Sequence, residues 1–151
     1  MQMFSVSISA CVLAFFTVAI HATGIGVLLR RLMRSDHLPT SVPLITRLLL
    51  RIVWWLVLLH LAEISIWGLF YLWRGCLPDA ESAFYFSGVT YTTLGYGDAV
   101  LAKPWRLLAP VESLMGVLMC SLSTGYFFVV GNFIYQRMQK SAAVSASGGR
   151  Y

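Results

Sequence analysis

From Met1 to Leu29 the chain contains no Asp, Glu, Lys or Arg. Two further stretches, Ile52 to Trp73 and Leu107 to Gln136, hold a single carboxylate each, Glu63 and Glu112. Each run reaches or exceeds the ~20 apolar residues that carry a helix across a bilayer. Only 11% of the 151 residues are Asp, Glu, Lys or Arg and 58% are apolar, whereas an ordinary soluble domain carries roughly a quarter charged residues. A water-soluble fold of this composition has too few charges to cover its surface. The expected class is an all-α membrane protein with three transmembrane helices.

The net charge of +5 would indicate nucleic acid if the basic residues formed a stripe interleaved with aromatics. They cluster instead at the ends of the apolar runs, so the expected partner is the lipid bilayer and no nucleic acid. Arg30, Arg31, Arg34, Arg47 and Arg51 separate the first two runs, and Arg137, Lys140 and Arg150 follow the last. Arg74, Lys103 and Arg106 alone flank the other side. Because Lys and Arg near span ends tend to stay cytoplasmic, the N-terminus is expected outside and the C-terminus in the cytoplasm, in a plasma membrane of the bacterial inner-membrane kind. The N-terminus lacks the basic leader and small-residue cleavage site of a signal peptide and reads as a retained span. Cys11, Cys76 and Cys120 show neither CxxC nor Cys/His metal spacing and are odd in number, so neither a disulfide framework nor a zinc site is indicated.

The segment between the second and third runs is unusual for a loop. Ala83 to Thr92 is apolar and aromatic but only ten residues long, about 15 Å as a helix, or half a bilayer. Asp79 and Glu81 stand where carboxylates cap free amides and complement a helix dipole. Thr93-Leu94-Gly95-Tyr96-Gly97-Asp98 then ends the helix. Non-helical backbone at membrane depth survives only where it is buried in protein or lines a wet cavity, so this half-helix with a glycine-containing return has the form of a pore loop.

Thr90-Tyr91-Thr92-Thr93-Leu94-Gly95-Tyr96-Gly97-Asp98 resembles the selectivity filter of potassium channels, written Thr-Val-Gly-Tyr-Gly-Asp in that family. Taken alone, Gly-Tyr-Gly-Asp could be a tight exterior turn; the Thr-Thr lead, the half-length helix and the following span favour the filter. Dehydrating a potassium ion requires rings of carbonyl oxygens as substitute ligands, and carbonyls that point one way need alternate residues in the left-handed region, open to glycine. Gly95 and Gly97 meet that need, with Leu94 and Tyr96 expected to pack outward against the pore helix. Leu94 departs from the family's usual Val or Ile.

The resemblance implies a pore module at 47–140, with an outer helix at 48–73, a pore helix at 80–92, the filter at 93–98 and an inner helix at 105–136. An extra N-terminal transmembrane helix (1–34), a cytoplasmic loop (35–46) containing Pro39 and Pro43, and a disordered tail (141–151) lie outside it. It also implies K+ ligation by the carbonyls of Thr93, Leu94, Gly95 and Tyr96, with the Thr93 hydroxyl at the innermost site and Gly97 and Asp98 shaping the outer mouth. K+ is then the transported ion, with no cofactor. Since each chain supplies one filter strand, a homotetramer with a closed fourfold ring is implied. The expected activity is passive potassium conduction, not enzymatic catalysis.

Other polar and small residues in the spans invite roles. Gly116, Cys120 and Thr124 recur on one face of the last span, beside Ser121, Ser123 and Gly125, and serve either close packing or a cavity wall. Gly116 lies one position before the family's hinge glycine. Phe127, Phe128 and Asn132 are candidates for an inner constriction, so the cavity or gate set is Gly116, Thr124, Phe127 and Asn132. His60 and Glu63, three apart, could meet as a polar pair, while His21 reads as a packing residue. Arg47 and Arg51 anchor the cytoplasmic side, since repeated arginines within a span are absent. Glu112 is expected behind the filter, held by pore-helix Thr or Tyr hydroxyls or free amides, where it would brace the filter and couple external pH to conduction. The alternatives are a non-selective cation channel, a channel-like transporter subunit, or a redox protein with haem held between His21 and His60.

Overall fold

The computed structural model describes the backbone of residues 2–34 and 41–148 and the side chains of residues 3–34 and 41–139. Four helices follow in order: α1 Gln2–Met33, α2 Val42–Trp73, α3 Ala80–Tyr91 and α4 Leu108–Gly148, the last entered through a 3₁₀ turn at Trp105–Leu107. No strand occurs among the described residues. Met3–Met33, Val42–Trp73 and Trp105–Gln139 are each long and apolar enough to cross a membrane. The chain is an all-α integral membrane protein.

Local chemistry explains the boundaries. α2 starts at Val42, earlier than the expected 48, because Ser41 is its N-cap and Pro43 falls in the first turn, where its missing N–H is not needed. The end of the expected 35–46 loop is therefore helical, and residues 35–40 lie outside the described residues. α3 opens on Asp79, whose carboxylate accepts from the Ser82 backbone N–H at 2.8 Å, and its 12 residues give about 18 Å of helix. α4 runs to Gly148 and so passes the expected end at 136. The disorder expected from 141 onward is not observed through Gly148: Ala142, Ala143 and Ala146 are strong helix formers and no proline follows Pro110. Residues 149–151 lie outside the described residues.

Two apolar clusters hold the helices together. Val6 and Leu13 of α1, Trp67 and Tyr71 of α2, Phe86 of α3 and Leu108 of α4 are buried together at one end. Leu32, Ile52, Leu56, Tyr126, Val130 and Ile134 form the other. α1 thus starts on the side where α2 ends and α4 begins, and it packs against both. At that end the Arg74 guanidinium lies 4.6 Å from the Trp105 ring centroid and Phe70 meets Trp105 edge-on at 5.8 Å, which fastens the 3₁₀ turn to the end of α2. Phe15, Phe16, Trp54, Leu58 and Phe128 remain exposed, as expected of faces turned to lipid or to other chains.

Candidate functional site

After α3 the backbone enters the left-handed region at every second residue: φ is +62° at Thr93, +52° at Gly95 and +81° at Gly97. The two glycines take this conformation freely. Thr93 does not, since a β-branched residue there is disfavoured by roughly 1–2 kcal/mol, and nothing in its residue type announced the conformation. The Thr93 N–H donates to the Thr90 carbonyl at 3.0 Å and the Gly95 N–H to the Val89 carbonyl at 3.1 Å. These donors point back at α3. Among the described residues nothing donates to the carbonyls of Thr93, Leu94, Gly95 or Tyr96, which leaves successive acceptors free to ligate a cation.

The side chains between them lie elsewhere than expected. Leu94 is 58% and Tyr96 69% exposed on the isolated chain, so α3 of the same chain does not cover them. The buried positions of that helix, Phe86, Ser87, Thr90 and Tyr91, are already covered by α2 and α4. Beyond the left-handed segment, the Tyr85 hydroxyl donates to Asp98 at 2.6 Å and the Ala99 N–H donates to it at 3.0 Å. The Tyr85 hydrogen bond holds the Asp98 carboxyl below the usual carboxylate range.

On its other side, α3 is closely approached by α4. Gly116 is buried, and a Cβ built on it would stand 2.0 Å from the Tyr91 carbonyl oxygen. Its observed place is thus against the pore helix, and the small residue serves packing there. One turn earlier, the Ser113 hydroxyl donates to the Thr90 carbonyl at 2.9 Å. Thr124, Phe127 and Asn132 are exposed on the isolated chain, free of the helices that enclose Gly116.

Glu112 is fully buried on the same side of the pore helix. Its partners are the Tyr71 hydroxyl of α2 at 2.7 Å and the Ser87 hydroxyl of α3 at 2.5 Å, not the pore-helix Thr or Tyr hydroxyls or free amides expected. Ser87 is also 2.8 Å from the Ile64 carbonyl. The signal for Tyr71 was absent from the sequence, because 41 residues separate it from Glu112.

A second buried polar layer lies between the two apolar clusters and draws on all four helices. His21 Nδ1 is 2.7 Å from Glu63 Oε1, and the Tyr91 hydroxyl donates to Glu63 Oε2. His60 Nδ1 is 3.0 Å from the Tyr91 hydroxyl and His60 Nε2 is 3.1 Å from the Ser123 hydroxyl. Ser123 Oγ returns to His21 Nε2 at 3.4 Å. The expected His60 and Glu63 pair is thus only indirect: their closest approach is 3.6 Å, and Glu63 is instead bonded to His21, the residue read as packing. The ligand atoms of His21, His60 and Glu63 lie within 4.8 Å of one another and could hold a metal ion. A haem between the two histidines finds no such fit, because Ser123 stands within hydrogen-bonding distance of Nε2 on both rings.

A family model described as "Ion channel" matches residues 57–132, from the middle of α2 through the pore helix and the left-handed segment into α4. That is 76 of the 151 residues, and α1 lies outside it. No curated protein and no solved structure matches the chain.

Proposed function

The chain belongs to the ion channel family, and from that premise we propose that it assembles as a homotetramer and conducts K+ selectively and passively across a plasma membrane. The observation that carries this reading is the left-handed backbone at Thr93, Gly95 and Gly97, joined to unpaired carbonyls at Thr93, Leu94, Gly95 and Tyr96. Four such strands around an axis would replace the hydration shell of a potassium ion with rings of carbonyl oxygens. The Thr93 hydroxyl adds the innermost ligand, and Gly97 and Asp98 shape the mouth.

The exposed Leu94 and Tyr96 support the tetramer. Large side chains left bare beside a pore-lining strand call for cover, and in a fourfold ring each would meet the neighbouring subunit. The C-terminal ends of the four pore helices would then direct their partial negative charge at the membrane centre, where it favours a cation in a wet cavity lined by Thr124 and closed toward the cytoplasm near Phe127 and Asn132.

Charge and packing together support an orientation. α1 begins beside the end of α2 and the start of α4, the end that carries the proposed filter mouth, and Arg30, Arg31, Arg34, Arg47 and Arg51 lie at the end of α1 and the start of α2, toward the opposite side. The positive-inside tendency therefore puts the N-terminus and the filter mouth outside and the C-terminus in the cytoplasm. Potassium efflux from liposomes holding the purified protein tests the function, with native mass spectrometry counting the subunits. Efflux of K+ far above Na+ from a four-chain assembly is expected. Equal passage of both ions would make the protein a non-selective cation channel, and no flux would favour a transporter subunit.

A further inference from the structure

We propose that His21, His60 and Glu63 form a binding site for one divalent transition-metal ion of the zinc type, which ties α1 to α2 and to the end of α3. The inference rests on these side chains and stands whether or not the protein conducts K+.

His60 and Glu63 lie three apart on α2, so both donors face one side of that helix, the spacing by which helical bundles present a histidine and a carboxylate to one ion. His21 completes the set from α1. The ligand atoms of the three residues lie within 4.8 Å of one another. His21 Nδ1 is 2.7 Å from Glu63 Oε1, and His60 Nδ1 is 3.6 Å from Glu63 Oε2. The Tyr91 hydroxyl, 3.0 Å from His60 Nδ1 and hydrogen-bonded to Glu63 Oε2, offers a fourth donor from the last residue of α3. An ion with bonds of ~2.0–2.1 Å spaces its tetrahedral ligands roughly 3.3 Å apart, and the separations of 2.7, 3.0 and 3.6 Å straddle that value. Closing the widest gap takes a movement of about 1.5 Å. His60, whose side chain is 20% exposed while those of His21 and Glu63 are enclosed, has the room to make it.

Charge sets this cluster apart from an ordinary hydrogen-bonded one. Glu63 is fully buried within a span, and among the described residues no Lys or Arg pairs with it. His21 and Tyr91 meet its hydrogen bonds, but imidazole in the neutral form that ligates metals brings no positive charge. A carboxylate buried at membrane depth calls for a counter-charge, and a divalent cation supplies it. Behind the ligands, the Ser123 hydroxyl of α4 lies 3.1 Å from His60 Nε2. Such an outer partner holds a ligating ring with its other nitrogen toward the ion. Two imidazole nitrogens with carboxylate oxygen suit zinc and its first-row neighbours, whereas Mg2+ and Ca2+ take oxygen ligands.

The full chain, purified without a histidine tag, stripped with a chelator and titrated with zinc chloride, is expected to retain one zinc ion per chain and to unfold at a higher temperature when loaded. Zinc-edge X-ray absorption is expected to show nitrogen and oxygen neighbours alone, at about 2.0–2.2 Å. Glu63→Gln keeps the shape of the carboxylate and can still donate to His21 and accept from Tyr91, so it tests ligation apart from folding. Its zinc affinity is expected to fall by roughly a hundredfold or more, and that of His60→Gln by as much. Ser123→Ala removes only the outer partner and is expected to weaken binding roughly tenfold. His37→Gln, at the one other histidine of the sequence, is expected to bind as the wild type does.

A sulfur neighbour at about 2.3 Å would place the ion on a cysteine such as Cys120, which faces Glu63, and would overturn the proposal. So would fewer than one zinc per chain at saturation, or unchanged affinity in Glu63→Gln and His60→Gln. If either variant loses its helical circular dichroism, the stoichiometry and absorption spectrum of the wild type decide the question without it.

Discussion

Gly116 of α4 has no room for a side chain, because the Tyr91 carbonyl oxygen would stand 2.0 Å from its Cβ. The obstacle is a backbone carbonyl, which cannot yield as a flexible side chain would, at the point where α3 ends and the left-handed segment begins. Gly116→Ala is therefore expected to push α4 off the pore helix and destabilise the protein by about 2 kcal/mol or more. Gly26→Ala in α1, where nothing lies within 4 Å, serves as the control and is expected to be neutral or slightly stabilising. Thermal unfolding of the two variants in detergent checks the contrast, and equal stability would show that the approach is not constrained.

A second prediction concerns Glu112. Its contacts with Tyr71 and Ser87, together with the contact of Ser87 with the Ile64 carbonyl, require three protons, of which the two hydroxyls supply two. The third fits Glu112 as a carboxylic acid that donates to Ser87. Glu112→Gln reproduces that donor pattern and is expected to match the wild type in stability and current. Glu112→Ala leaves the Tyr71 hydroxyl without an acceptor and is expected to cost about 2–3 kcal/mol. A large loss in Glu112→Gln would mean that the ionised form is the one the fold needs.

At the mouth, the bond from Tyr85 to Asp98 favours the ionised carboxylate. Since Asp98 ionises at lower pH in the folded protein than in an unfolded chain, the support it gives is present above the ordinary carboxylate range. That support is lost as the pH falls through the lowered value. Tyr85→Phe is expected to return Asp98 toward ordinary behaviour and so to move the acid loss of conduction to higher external pH. A titration of conductance with external pH checks this, and an unchanged midpoint would show that the bond does not matter to the mouth.

Much of this was legible in the sequence, and the limits have physical causes. Runs without charge announce membrane helices, and glycines two apart announce a backbone that alternates in handedness. Thr93 gives no such sign, because its left-handed φ is imposed by the segment it begins. His21 could not be matched to Glu63 by periodicity, since 42 residues and a helix connection separate them. Leu94 and Tyr96 are exposed on the isolated chain, and one chain's pattern of apolar residues does not distinguish a lipid-facing side chain from one that another subunit covers. Helix ends shifted where Pro43 and the alanines after residue 141 suit a helix better than the loop and tail expected there.

The topology makes a separate prediction. If the arginine-rich connection stays in the cytoplasm, as proposed from the positive-inside tendency, a membrane-impermeant thiol reagent is expected to label a cysteine added at the protein's N-terminus in intact cells, its native cysteines having been replaced. Labelling that appears only after the membrane is broken would reverse the orientation.

The central claim is that the carbonyls from Thr93 to Tyr96 select potassium, and a reversal potential tests it most directly. With K+ on one side of a planar bilayer and Na+ on the other, the wild type is expected to reverse far toward the potassium equilibrium value. Gly95→Ala and Gly97→Ala are each expected to abolish selective current, since a Cβ opposes the left-handed backbone both positions adopt. A wild-type reversal near zero, or selective current in both glycine variants, would contradict the account.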